Sequence, residues 1–168
     1  SPRQGTVVAD FHRNGTLDIL VSIMSYNGGQ LPREEIRSIL EIRGVMMAFA
    51  LESAIPRMNE EQLTELREQS EMFARAKGAE EAAQLIYEFD HMLSSFSDNT
   101  LLPLFFCSFK NPIKELWRRY VTRNGVSILK HRNDELLDCI ARKDVPAAKR
   151  VIADSIAETI SGRTEIYG

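Results

Sequence analysis

A chain of 168 residues that is 43% hydrophobic and 27% charged has the composition of an ordinary soluble protein with one hydrophobic core. Its net charge of −3 excludes a basic, phosphate-gripping face as its main feature. No apolar run reaches the roughly 18 residues of a membrane helix, and the polar start Ser1-Pro2-Arg3-Gln4-Gly5 is unlike a signal peptide. Cys107 and Cys139 are the only cysteines. Both sit in apolar runs, read as small buried hydrophobes and suit a reducing cytoplasm.

In chain order, Gln4 to Phe11 is short, β-branched and led by Gly5, so it reads as a strand after a turn. No second strand candidate follows, so the strand reads as the end of something missing upstream. After Asn14-Gly15, Leu17 to Met24 is expected to be a short helix with Thr16 as its N-cap, ended by Asn27-Gly28-Gly29. The longest periodic segment runs from Pro32 to about Ile55. Pro32 suits its first turn, and Glu34 and Glu35 suit its positive end. Arg43 lies inside its apolar stripe. It reads as a buried partner of Glu41 or Asp90, or alternatively as an anion anchor for a ligand.

Asn59 is placed as the cap of a helix from Glu60 to about Lys77, with Leu63, Leu66, Ser70 and Phe73 inward. The next helix is expected from Ala79 to Ser97. Leu85, Ile86, Phe89, Met92, Leu93 and Phe96 form its inward stripe. Tyr87 and His91 lie one turn apart at the edge of that stripe. They read as half-buried residues with ordinary partners, or as the polar lining of an interior cavity. Leu101 to Phe109 is almost wholly apolar and reads as a buried helix whose start tolerates Pro103. Asn111-Pro112 opens a helix from Ile113 to about Leu129, with Gly125 as a kink or break. Its Arg118, Arg119 and Arg123 face water or a cavity. Asp134 to Arg142 and Val145 to about Ser161 complete the helices, the last with Asp144 as N-cap and Pro146 in its first turn. The whole reads as an all-α antiparallel bundle of about seven or eight helices.

Catalytic signatures are not found. The sequence has no glycine-rich phosphate loop, no zinc-spaced cysteines, no His-Glu-x-x-His and no nucleophile elbow. Its three histidines, His12, His91 and His131, fall in different elements. With no arguable nucleophile–base pair, an enzyme is not the expectation.

Four stretches stand in a telling order: Gly5-Thr6-Val7-Val8; Ile39-Leu40-Glu41-Ile42-Arg43; Phe89-Asp90-His91-Met92-Leu93 followed by Asp98-Asn99; and Glu135 to Asp144 followed by Ala147-Ala148. Together they resemble the GntR family of bacterial transcription regulators, and within it the fatty-acid-regulator (FadR) branch. The first resembles the end of a winged-helix wing, the second the first long ligand-domain helix. The third is similar to a Phe-His-x-x-Leu…Gly-Asn segment, and the last to a C-terminal helical hairpin.

The resemblance implies that residues 1–11 are a remnant of the DNA-binding domain. Residues 12–168 would be a helical effector-binding and dimerisation domain. In many relatives one Asp and three His hold a divalent metal such as zinc or nickel. Carried over, those positions fall on Tyr87, His91, Asn133 and Ser155. Only His91 keeps a ligand, so no metal or other cofactor is expected. The FadR branch also lacks the set, and its members bind long-chain acyl-coenzyme A, which releases DNA. The resemblance therefore implies a ligand site of Arg43, Met47, Tyr87, His91, Phe105, Arg118, Asn133 and Ser155. Met46, Met47, Phe49, Phe89, Met92, Phe105, Phe106 and Phe109 would supply an apolar wall, or simply pack on one another. Arg43, Arg118 or Arg119 would meet the anionic end.

The expected effector is an acyl-CoA, fatty acid or small organic acid. The expected partners are a second copy of the chain and, through the missing domain, operator DNA. A cytoplasmic setting without membrane contact is expected. The alternative keeps the fold and makes it a metal-dependent carboxylate sensor using His91, His131 and an Asp such as Asp90. A small helical enzyme is the remaining reading, and it would need a polar pocket with a strongly perturbed acid or base.

Overall fold

The computed structural model describes residues 32–162 without interruption, with a few isolated positions between 13 and 22. The strand expected over 4–11 lies outside the described residues, as does most of the helix expected over 17–24. In that helix the backbone N–H of Ile19 donates to the carbonyl of Thr16 at 3.1 Å. The described residues form seven α-helices and one 3-10 turn, with no strand among them.

Helix α1 runs Arg33–Ala54. Pro32 precedes it with an extended ψ of 145°, and Glu34 and Glu35 occupy the first turn, where the helix dipole favours anions. The helix passes into a 3-10 turn, Ile55–Arg57, at Pro56, which has no N–H to continue the ladder. Helix α2, Glu60–Ala74, starts on a reciprocal cap. The Asn59 side chain accepts from the Gln62 N–H at 2.8 Å, and the Gln62 side chain accepts from the Asn59 N–H at 3.1 Å.

Helix α3, Ala79–Ser95, ends in a serine-rich stretch. There the hydroxyls of Ser94, Ser95 and Ser97 donate to the carbonyls of His91, Met92 and Ser94, each at 2.6 Å, and compete with the helical ladder. Helix α4, Leu102–Ser108, follows. Asn99 Oδ1 accepts from the N–H groups of Leu101 and Leu102 just ahead of it, while Leu101 itself, at the N-cap position, makes no side-chain cap. Helix α5 is Lys110–Asn124, α6 is Ser127–Ala141 and α7 is Val145–Ile160. The Asp144 side chain caps α7 by accepting from the Ala147 N–H at 3.1 Å.

Three expectations are corrected. The Leu101–Phe109 stretch is helical but not wholly buried: Leu102 and Phe106 face the core, while Leu101, Leu104 and Phe105 are 58%, 60% and 56% exposed. Two turns can offer only one side to a neighbour. Cys107 lies on the outer side and is exposed; Cys139 is buried, as expected. The helix expected to reach Leu129 stops at Asn124. Gly125 has φ of +73°, and residues 127–133 belong instead to α6.

Helix α3 is the central stave, packed against α5, α2, α4 and α1. Helix α7 closes the other side against α1 and α6, and α6 also touches α2. The core residues of α3 include Ile86, Phe89 and Leu93. Removing such a buried aromatic costs roughly 3–5 kcal/mol, because the surroundings do not collapse into the void. Helices α1 and α7 approach closely at Gly44, where a Cβ would stand 2.9 Å from Cδ1 of Ile156.

Candidate functional site

A cavity of about 50 Å³ lies in the bundle centre, walled by α1, α2, α3, α5, α6 and α7. Its apolar lining includes Met47, Phe73, Phe89 and Leu136, and its polar lining is Arg43, Asp90, Arg132, Asn133 and Ser155. Arg43, from α1, donates through Nε and Nη2 to the two carboxylate oxygens of Asp90 on α3, at 3.0 and 3.2 Å. The two alternatives for its carboxylate partner thus resolve to Asp90; Glu41 pairs with Arg37 at 2.8 Å. Burial pushes the Asp90 carboxyl above its ordinary range, and the Arg43 guanidinium opposes that push. The guanidinium carbon sits 4.7 Å from the Trp117 ring centroid, within cation–π range.

Arg132 and Asn133 enter from α6. Arg132 Nη1 donates to Ser155 Oγ on α7 at 3.1 Å, and Nη2 pairs with Glu158. Asn133 Nδ2 donates to Ser70 Oγ at 2.7 Å. Trp117, from α5, completes the wall. Sequence reasoning singled out neither Arg132 nor Trp117 for the site. A signal for Arg132 was present: Leu129 and Leu136 are buried seven apart, and residues between them at helical spacing share their face.

The residues proposed from sequence divide into separate places. Arg43, Met47, Asn133 and Ser155 meet at the cavity. Tyr87 and His91 do not join them. The face of α3 that looks into the cavity carries Ile86, Phe89 and Asp90, one position earlier. One residue is about 100° around a helix, so Tyr87 and His91 turn instead into a surface cleft of about 580 Å³. In that cleft His91 Nε2 lies 3.4 Å from Cys107 Sγ. Burial first, and then the hydrogen bond with Cys107, push the Tyr87 phenol above its ordinary value. Phe105 points outward from α4. Arg118 is half-exposed and, with Arg119, holds Glu115 at 2.5 and 3.0 Å. Burial raises the Glu115 carboxyl, but the hydrogen bonds from Arg118 and Arg119 outweigh it and hold the group below its ordinary value.

The donor chemistry does not fit a divalent metal. The cavity offers one carboxylate, already bonded to a guanidinium, and two guanidinium groups in its wall would repel a cation. His131 is 76% exposed and paired with Glu135, and His91 lies in the other cleft. No group of three or more metal-ligating side chains gathers among the described residues.

No helix among the described residues is long and apolar enough to cross a membrane. Neither a curated protein nor a solved structure matches the chain. A family model, the FCD domain, matches residues 38–158 and so takes in every wall of the cavity. With most of its length inside that match, the chain belongs to the FCD family, the C-terminal effector-binding domain of GntR-family regulators.

Proposed function

We propose that this domain senses a small carboxylate effector in the central cavity and relays its arrival to operator DNA through a domain upstream of α1. One observation carries the choice of ligand: a small space with the Arg43 and Arg132 guanidiniums in its wall, each keeping N–H groups beyond those bonded to its carboxylate partner. Guanidinium groups recognise carboxylates by charge and planar geometry. The volume argues against the long acyl chain of the FadR-like reading. About 50 Å³ is room for roughly three to five water-sized groups, whereas pockets for larger ligands run to roughly 300–1,000 Å³. An acyl-CoA would have to part the helices.

The cavity joins α1, which carries Arg43 and Met47, to α7, which carries Ser155. A ligand that binds one arrangement of these helices better than another shifts the population between them. That differential affinity is the coupling to DNA. The active species we propose is a cytoplasmic dimer, with a second copy seated on the exposed groove between α1 and α7.

The test pairs two measurements. Short carboxylic acids should raise the thermal midpoint of the 168-residue chain progressively with the logarithm of concentration, as expected for an unfolding free energy increased by about 2.7 kcal/mol at a hundred times Kd. The same acids should change operator affinity of the full-length regulator, while amines of equal size change neither. If no carboxylate, short or long, moves either quantity, the proposal fails.

A further inference from the structure

Trp117 is the only tryptophan of the chain, and its indole Nε1 is buried without a hydrogen-bond partner. Buried N–H groups in folded proteins are nearly always partnered, and one left bare asks what completes it. The same ring is a wall of two cavities. One is the polar central cavity already described. The other, about 20 Å³, is lined by Ile39, Leu40, Ile113, Leu116 and Ile156, with Tyr120 and Thr159 at its edge. The Thr159 hydroxyl donates to the Ser155 carbonyl at 3.0 Å, so it is already satisfied and the space is essentially aliphatic. Arg43, Trp117 and Ser155 belong to both linings. The Arg43–Asp90 pair, the Trp117 ring with its bare N–H buried in the wall, and a hydroxyl thus stand where a polar space meets a greasy one.

We infer that the two cavities are the halves of one site for a short aliphatic monocarboxylic acid, whose carboxylate accepts from Trp117 Nε1 beside Arg43 and whose carbon tail lies among Ile39, Ile113 and Ile156. This rests on the reading of the central cavity as the effector site and narrows the class of effector. The smaller cavity takes roughly one or two water-sized groups, which bounds the acid at about three to five carbons. A dicarboxylate of that length would press its second charge against isoleucines, at a high desolvation cost. A protonated amine has no lone pair with which to accept from Trp117 Nε1, and the carboxylates nearby, Asp90 and Glu158, are already bonded to Arg43 and Arg132. A tail of two extra methylenes buried in the aliphatic half makes butyrate bind roughly ten-fold more tightly than acetate.

The single indole makes the test direct. In the wild-type chain labelled with nitrogen-15, butyrate should move the one indole N–H resonance saturably and change Trp117 emission over the same concentrations. Acetate should do so about ten-fold more weakly, and succinate and butylamine should not. Trp117→Phe keeps a ring in place but removes the donor, and calorimetry should show butyrate binding weakened by about ten-fold or more. If butyrate raises the thermal midpoint but leaves the indole resonance unmoved, this inference is overturned while the cavity's role as effector site stands. If acetate or succinate binds as tightly as butyrate, the two-part site is wrong. If no carboxylate raises the midpoint at all, both readings fall together.

Discussion

Arg43 and Asp90 surrender nearly all of their hydration on folding, with side chains only 8% and 3% exposed. At such depth desolvation cancels most of the Coulomb attraction, so the pair adds little net stability, yet either charge alone is very costly. Arg43→Met and Asp90→Leu should therefore each lower the free energy of urea unfolding by roughly 3–5 kcal/mol. The double variant Arg43→Met/Asp90→Leu should recover most of that loss, since it removes both charges and keeps apolar volume. A double variant as unstable as the sum of the two single losses would show that the charges do not compensate each other. The sequence placed Arg43 within a core stripe and named Asp90 as one of two partners. It could not decide between them, because Glu41 is a neighbour in sequence and Asp90 is a neighbour only through the packing of α1 on α3. The sequence singled out no role for Trp117, since an unsatisfied N–H is a property of surroundings rather than of a motif.

The helix starts that carry a side-chain cap were legible, because their causes are local. Asn59 with Gln62, and Asp144 before Pro146, carry their caps within a few residues of chain. Helix α4 was misjudged for the opposite reason. Its composition is apolar on all sides, and among the described residues it is the packing on α3, α1 and α5 alone that decides which side is covered and leaves Leu104 and Phe105 exposed. Gly125 stood open in the sequence as a kink or a break. It is a break: φ of +73° with ψ of −174° lies in a region that residues with a Cβ avoid. Nothing lies within 4 Å of where its Cβ would be, so the cost of a side chain there is purely a backbone cost. Gly125→Ala should destabilise the domain by about 1–3 kcal/mol, read as a lowered thermal midpoint with helical content unchanged below the transition. An unchanged midpoint would mean that the junction between α5 and α6 can turn without a left-handed residue.

Across the whole molecule, the all-α class followed from the 3.6-residue period, but which residues meet at the centre turned on a single step of register. Moving from Tyr87 and His91 to Ile86 and Asp90 exchanges a surface cleft for the cavity, and a short motif cannot fix rotation that finely. The outer surface holds a second consequence of packing. Between α1 and α7 runs an open groove of about 940 Å³, lined by Val45, Ala48, Val145, Ile152 and Ile160 among others. Val45 is 69% exposed, and Ile42 and Phe49 share its side of α1, an apolar face of the sort that marks an interaction surface. The groove's charges are paired within the chain: Glu52 on α1 with Lys149 on α7 across the groove, and Glu41 with Arg37 along α1. A copy related by a two-fold axis would lay the Ile42, Val45 and Phe49 face of one α1 against the same face of the other, the self-complementary pattern that a symmetric dimer requires. In sedimentation or light scattering the chain should therefore run as a dimer, and Val45→Asp should shift it to monomer. Because Val45 points away from the core, that variant should keep its helical content. A wild-type monomer, or a Val45→Asp protein that still dimerises, would exclude this groove as the surface where two copies meet.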